Sequence, residues 1–210
     1  QGPAWALVDG HSGMGQLTAY KATKMAIEKA KKSGIAMIGV RKGMHFGAAS
    51  YYTMMIAKKD MIGISMSNVN INMSITGSAG RVIGNNPFSY AAPAGKEKPV
   101  VFDVAMSVTA GSKINNAAKE GRDVSLGLVI DKNGNPTENP RDYLNGGALL
   151  PFAGHKGYGF ALMVEILAAV ITGNALTKDI ASWDKNIKEP SPEGFNFIAI
   201  NIGTFMPIED

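Results

Sequence analysis

The chain has 210 residues, 45 % of them hydrophobic and 18 % charged, with 25 glycines, no cysteine and a net charge of +4. That length and apolar content suit one large domain, or one and a half, with a sizeable core. The lack of cysteine excludes disulfides and thiolate metal sites and fits a reducing, cytoplasmic setting. Basic residues fall in scattered pairs (Lys31-Lys32, Arg41-Lys42, Lys58-Lys59) without a long block. They read as solvated helix faces rather than a nucleic-acid patch, though a mildly basic surface favours anionic substrates. The most apolar run, Phe160 to Ile171, is too short to cross a bilayer and contains Glu165. Neither a nucleic acid nor a membrane is expected as a partner.

Strand-length apolar runs alternate with helical patterns, the mark of an α/β layered domain. Ala4 to Val8 predicts a strand, and Gln16 to Lys32 a helix stopped by Ser33-Gly34. Ile35 to Val40 predicts a buried strand. A helix follows His45 and runs to about Lys59, and then a strand from Met61 to Met66. Residues 67–86 are polar and glycine-rich, an irregular loop. Phe88 to Ala92 and Val100 to Phe102 flank a turn. A helix is expected from Ala110 to Lys119 and a strand from Leu126 to Ile130. Lys156 to Thr172, nearly all apolar, predicts a helix buried on most sides. Asp179 to Gly194 reads as a surface connection before a last strand, Phe195 to Ile202.

Two motifs suggest dehydrogenases. Gly10-His11-Ser12-Gly13-Met14-Gly15 lies between a strand and a helix, as the phosphate turn of a Rossmann domain does. Its glycines run G-x-x-G-x-G, however, where that turn needs G-x-G-x-x-G. Tyr20 and Lys24 have the Tyr-x-x-x-Lys spacing of short-chain reductases, but only nineteen residues precede them. Both features read better as a strand-to-helix turn and a helix surface.

His45 is better placed for chemistry. It follows a buried strand and precedes a helix, at the sheet edge where α/β sites form, and a helix N-terminus disfavours imidazolium. It would serve as a proton acceptor or as a helix cap. Lys156, between glycines at the start of an apolar helix, would hold a phosphate or simply reach into solvent. Asp103, ending a strand, would bind ribose hydroxyls or cap a helix. With three histidines at 11, 45 and 155, no i, i+4 pair among them and no cysteine, a transition-metal site has little support.

Gly15-Gln16, VRKGMHFGAASYY, IGISMSN, GNNPFSYAAP, FDVAMS, DKNGNPT and LLPFAGHKGYG occur in that order. In these elements the chain resembles the malate/L-lactate dehydrogenase family, from about residue 4 to its end. The resemblance implies a layered α/β/α domain with a mixed sheet, of the L-sulfolactate dehydrogenase type, that binds NAD or NADP without a Rossmann fold. It also implies a homodimer acting on a small 2-hydroxy or 2-oxo acid. The family's histidine proton acceptor falls on His45. Its cofactor contacts fall on Asp103, Val104 and Ala105, on Lys156 and Gly157, and near Asn68 and Val69. Asn86 and Pro87 match the loop that closes the site, and Arg41 is a candidate cation for the substrate carboxylate. Ile75-Thr76-Gly77-Ser78, Ser112-Lys113, Ser125 and Leu128 depart from the family pattern, which bears on substrate fit more than on fold. The family's N-terminal helical region and C-terminal Pro-Gly-Glu segment have no counterpart here, so residues 1–210 read as the central part of a longer dehydrogenase. The other readings are a non-catalytic fragment or interaction subunit, and a Rossmann or short-chain reductase.

Overall fold

The computed structural model describes residues 1–182 and 188–208. Its main sheet contains β1 (Trp5–Asp9), β2 (Ile35–Gly43), β3 (Met61–Ser67), β4 (Phe88–Ala92), β5 (Val100–Val104) and β9 (Glu193–Asn201), in the order β1-β2-β9-β3-β4-β5. Only β1 and β2 are parallel; every other pairing is antiparallel. A Rossmann sheet is parallel across its nucleotide-binding half, so the Rossmann and short-chain reductase readings are corrected by this topology.

α1 (Gly15–Ser33) and α2 (Ala49–Ala57) cover one face. α1 offers small residues (Ala19, Ala22, Ala26, Ala30) to Ala36, Ile38 and Val40 of β2, and all are buried. Alternate residues of β9, Phe195, Phe197 and Ala199, complete that core, as the two-residue strand period requires. α1 stops where expected, at Gly34, whose φ of 81° suits glycine. On the other face lies α5 (His155–Glu165), continued by a π-helical stretch, Ile166–Val170; Val164 and Ala168 pack on Met66 of β3.

This helix corrects one expectation. Phe160, Ile166 and Val170 are 50 %, 44 % and 53 % exposed, so one side of it is an open apolar stripe rather than core. Another correction concerns the Asp179-to-Gly194 connection. Residues 183–187 lie outside the described residues, but Glu193 and Gly194 already belong to β9 and are fully buried.

A smaller module packs beside the main sheet. It contains α3 (Gly111–Glu120), β6 (Val129–Ile130), β7 (Pro136–Thr137), α4 (Pro140–Leu144) and β8 (Ala148–Leu149). Its core joins Ile114, Val129, Tyr143 and Leu149 to Met73, Ile83 and Met106. The polar segment 67–86 is irregular, as its composition implies, yet backbone pairing ties Met73 to Ile83 and to Leu149.

Candidate functional site

β2 ends on Lys42, in the left-handed region at φ 50°, and on Gly43, where a Cβ would run into the Phe195 ring. The chain then turns through Met44, His45 and Phe46 into α2. Phe46 fixes this loop: its ring centroid lies 4.5 Å from that of Phe195, 5.1 Å from Tyr52 and 6.1 Å from Phe197. The Tyr52 hydroxyl donates to the Phe46 carbonyl at 2.7 Å. Burial, with a smaller contribution from Tyr51, pushes that phenol up to about 12, so it stays a donor.

The glycines of the first turn hold the same loop from the other side. A Cβ on Gly10 would lie 2.6 Å from the Lys42 carbonyl oxygen, and one on Gly15 would collide with the carbonyls of Met44 and His45. Gly10 N and Ser12 N donate to Arg41 O and Lys42 O, and Gly13 N to Gly10 O. These amides are therefore taken up by protein carbonyls, leaving them no role in holding a phosphate. Tyr20 is exposed on α1, with Lys24 Nζ 5.6 Å above its ring, and neither lines the cleft beside His45.

That cleft has a volume of about 370 Å³ and lies between the main sheet and the small module. Its walls include His45, Val69, Arg81, Asn85, Ala105 and Tyr143. The His45 side chain is 47 % exposed, and burial of the remainder lowers its pKa, which favours the neutral imidazole.

Arg81 is the cation of this cleft that sequence reasoning missed. Its Nε donates to Gly147 O at 2.8 Å and its Nη2 to Tyr143 O at 2.6 Å, while its guanidinium lies 4.6 Å from the Tyr143 ring centroid. A guanidinium held by carbonyls and a ring is oriented without losing its charge. Arg41, in contrast, does not line the cleft; its Nε donates to the Asp9 carboxylate at 3.1 Å.

The other sequence candidates divide into two groups. Asn68 and Asn86 are fully buried and already engaged. Asn68 donates to Glu165 Oε1 and Ala175 O and accepts from Gly194 N. Asn86 donates to Glu165 Oε2 and Ala161 O and accepts from Val69 N at 3.1 Å. They shape the wall that Val69 presents and have little capacity left for a ligand. Of Asp103, Val104, Ala105, Lys156 and Gly157, Gly157 is tied to the stretch after β5, since Phe152 N donates to Met106 O and Gly157 N to Phe152 O, and Ala105 lines the cleft, whereas Asp103 turns to the start of α2 and Lys156 stands in the first turn of α5. Gly157 has no alternative there, because a Cβ would strike Phe152 O. Asp103 accepts from Ser50 N at 2.9 Å but remains exposed, and Lys156 is exposed at the α5 N-terminus. An accessible carboxylate suits sugar hydroxyls, and an ammonium at a helix N-terminus suits phosphate.

A family model described as malate/L-lactate dehydrogenase matches residues 1–210. The malate dehydrogenase of Pyrococcus horikoshii is 40 % identical over 221 residues, covering 100 % of this chain and 59 % of that one. The structure of sulfolactate dehydrogenase from Methanocaldococcus jannaschii superposes with a TM-score of 0.91 at 37 % identity, covering 100 % of this chain and 60 % of that one. The Δ1-piperideine-2-carboxylate reductase of Pseudomonas syringae gives a TM-score of 0.91 at 33 % identity, covering 100 % and 64 %. The chain thus spans less than two thirds of the length of these relatives. With its mixed antiparallel sheet, its histidine cleft and a family match along its whole length, the chain belongs to the malate/L-lactate dehydrogenase family.

Proposed function

We propose that this chain carries the catalytic cleft of an NAD(P)-dependent oxidoreductase that interconverts a small malate- or L-lactate-like 2-hydroxy acid and its 2-oxo acid. The observation that carries the reading is the shared cleft of His45 and Arg81: a half-buried, neutral imidazole and an anchored guanidinium. A 2-hydroxy acid presents a hydroxyl and a carboxylate on the same carbon, and these two groups match it. His45 accepts the hydroxyl proton as a general base. Arg81 orients the carboxylate, and Val69 and Ala105 form the adjoining walls. Asp103 would hold ribose hydroxyls and Lys156 a phosphate of the dinucleotide. When bound, that cofactor supplies the acceptor or donor of the hydride at C2.

The names of the relatives support the substrate class, since malate and sulfolactate are both 2-hydroxy acids. Nicotinamide absorbance with malate, lactate, sulfolactate and ureidoglycolate, with NAD and NADP each in turn, tests the proposal. Replacing His45 by Ala should lower turnover by about 10²- to 10⁴-fold, with cofactor affinity little changed. Undiminished turnover in that variant rules the assignment out.

A further inference from the structure

The carboxyl of Glu193 lies directly beneath the histidine. β2 and β9 pair Gly43 with Glu193, which brings the first residue of β9 under the loop that follows Gly43. The Glu193 side chain is 1 % exposed, and its Oε2 is 4.0 Å from His45 Nδ1. Neither carboxyl oxygen has a hydrogen-bond partner among the described residues. A buried carboxyl without partners is costly in a fold unless it does something there. A separation of 4.0 Å is long for a hydrogen bond, but such contacts commonly tighten when substrate binds.

We infer that Glu193 is a positioning residue for His45, engaging Nδ1 from below so that Nε2 faces the cleft, and sharing one proton with the imidazole. This rests on the assignment of His45 as the proton acceptor. In oxidation, the substrate O–H bond breaks and its proton binds Nε2. The electron pair remains on oxygen and becomes part of the new C=O bond as hydride leaves C2 for the nicotinamide. The proton on Nδ1 passes to the Glu193 carboxylate, so the imidazole ends neutral and the glutamate protonated. Reduction retraces these transfers.

The pair then titrates as a unit. Burial pushes the glutamate up to about 8 and lowers His45. The pair with neutral imidazole and protonated Glu193 serves reduction, and the pair with neutral imidazole and ionised Glu193 serves oxidation. Other ionisable groups on the elements packed against β9 are engaged elsewhere or point outward. Arg41 and Lys42 of β2 pair with Asp9. Tyr52 of α2 donates to Phe46 O, and its neighbour Tyr51 is exposed. α1 turns alanines, Thr23 and Ile27 to the core and keeps its lysines, Tyr20 and Glu28 outside it. Glu165, next to the π-helical stretch, is bound by Asn68, Asn86 and Thr177 N.

The test is the pH dependence of kcat/KM in both directions for the intact protein and for Glu193→Gln. Oxidation should rise, and reduction fall, through a pH near 8. In Glu193→Gln the step should move by more than one pH unit, to the depressed range of the imidazole alone, with at least a tenfold loss of kcat at pH 8.5. An unchanged step and unchanged kcat overturn the inference while leaving His45 in place, whereas a fully active His45→Ala overturns the function beneath it. Should Glu193→Gln fail to fold, ¹⁵N shifts of the His45 ring in the unaltered protein read the same pair. A second titration step near pH 8 supports it, and a single step below 6.5 overturns it.

Discussion

Gly15 is the position where a single methyl group separates a packing role from a catalytic one. In Gly15→Ala, the new Cβ would lie 2.5 Å from the His45 carbonyl oxygen and closer still to that of Met44. Non-bonded heavy atoms settle at about 3.5 Å, so helix or loop must yield by about 1 Å to clear His45 O and by more to clear Met44 O. Both obstacles are backbone, which no rotamer change can move aside. Overpacking of this kind costs about 1–3 kcal/mol, and the gain in helix propensity from glycine to alanine offsets up to about 1 kcal/mol. The net loss is about 0–3 kcal/mol, or a fall in Tm of about 0–12 °C for a domain of this size.

The kinetic consequence is larger. Displacing a reacting group by about 1 Å lowers turnover by about 100-fold, and the loop being displaced carries His45. Thermal unfolding and kcat measured on the same preparation separate the two effects. Gly13→Ala is the control, since its Cβ would meet only Gly10 O, at 3.3 Å. A Gly15→Ala protein with a lowered Tm but kcat within twofold of the unaltered protein would show that this glycine serves packing alone.

Two further outcomes follow from the same cleft. Arg81→Ala removes the proposed charged partner of the substrate carboxylate, a contact of about 1.5–3 kcal/mol, so kcat/KM for the hydroxy acid should fall about 10- to 150-fold. Cofactor affinity should hold, and an effect confined to the cofactor KM would assign Arg81 to the dinucleotide instead. Glu193 also makes stability depend on pH. Its folded-state pKa, about 8, lies above the usual glutamate value, so the folded protein keeps a proton that the unfolded chain releases. Stability therefore falls as pH rises from about 4.5 to 8, by up to about 1.4 kcal/mol per unit, and levels off above that. Urea midpoints from pH 5 to 9 should show this slope, and Glu193→Gln should remove it; parallel curves for the two proteins would contradict it.

The strands and helices around His45 were legible because their signals are local. An apolar run followed by glycines ends β2, and Ser33-Gly34 ends α1. Pairing was not legible, because it depends on neighbours distant in sequence. β9, the last strand, inserts between β2 and β3, while consecutive strands more often lie side by side. Arg81 was obscure for the same reason. It sits in a polar, glycine-rich stretch that is indeed irregular, and its anchors, Tyr143 O and Gly147 O, come 62 and 66 residues later. Apolar composition was misleading in α5, where an all-apolar pattern implied burial and the fold leaves Phe160 and Val170 open.

The start of β9 explains why the cleft holds together. Glu193 reaches His45, Gly194 N donates to Asn68 Oδ1 at 2.8 Å, and Phe195 packs on Phe46. Through Asn68 the same strand meets Glu165, which holds Asn86, and Asn86 in turn accepts from Val69 N on the cleft wall. Three successive residues thus set the histidine, the ring that pins its loop and the asparagine pair beneath the opposite wall. Gly194 can tolerate no side chain, because a Cβ would collide with Ala168 O. The glycine turn at residues 10–15 then has a definite place: it closes on the His45 loop from the side opposite β9. The loop is held between a strand that carries a carboxyl and a helix start that can carry none of the bulk of a side chain.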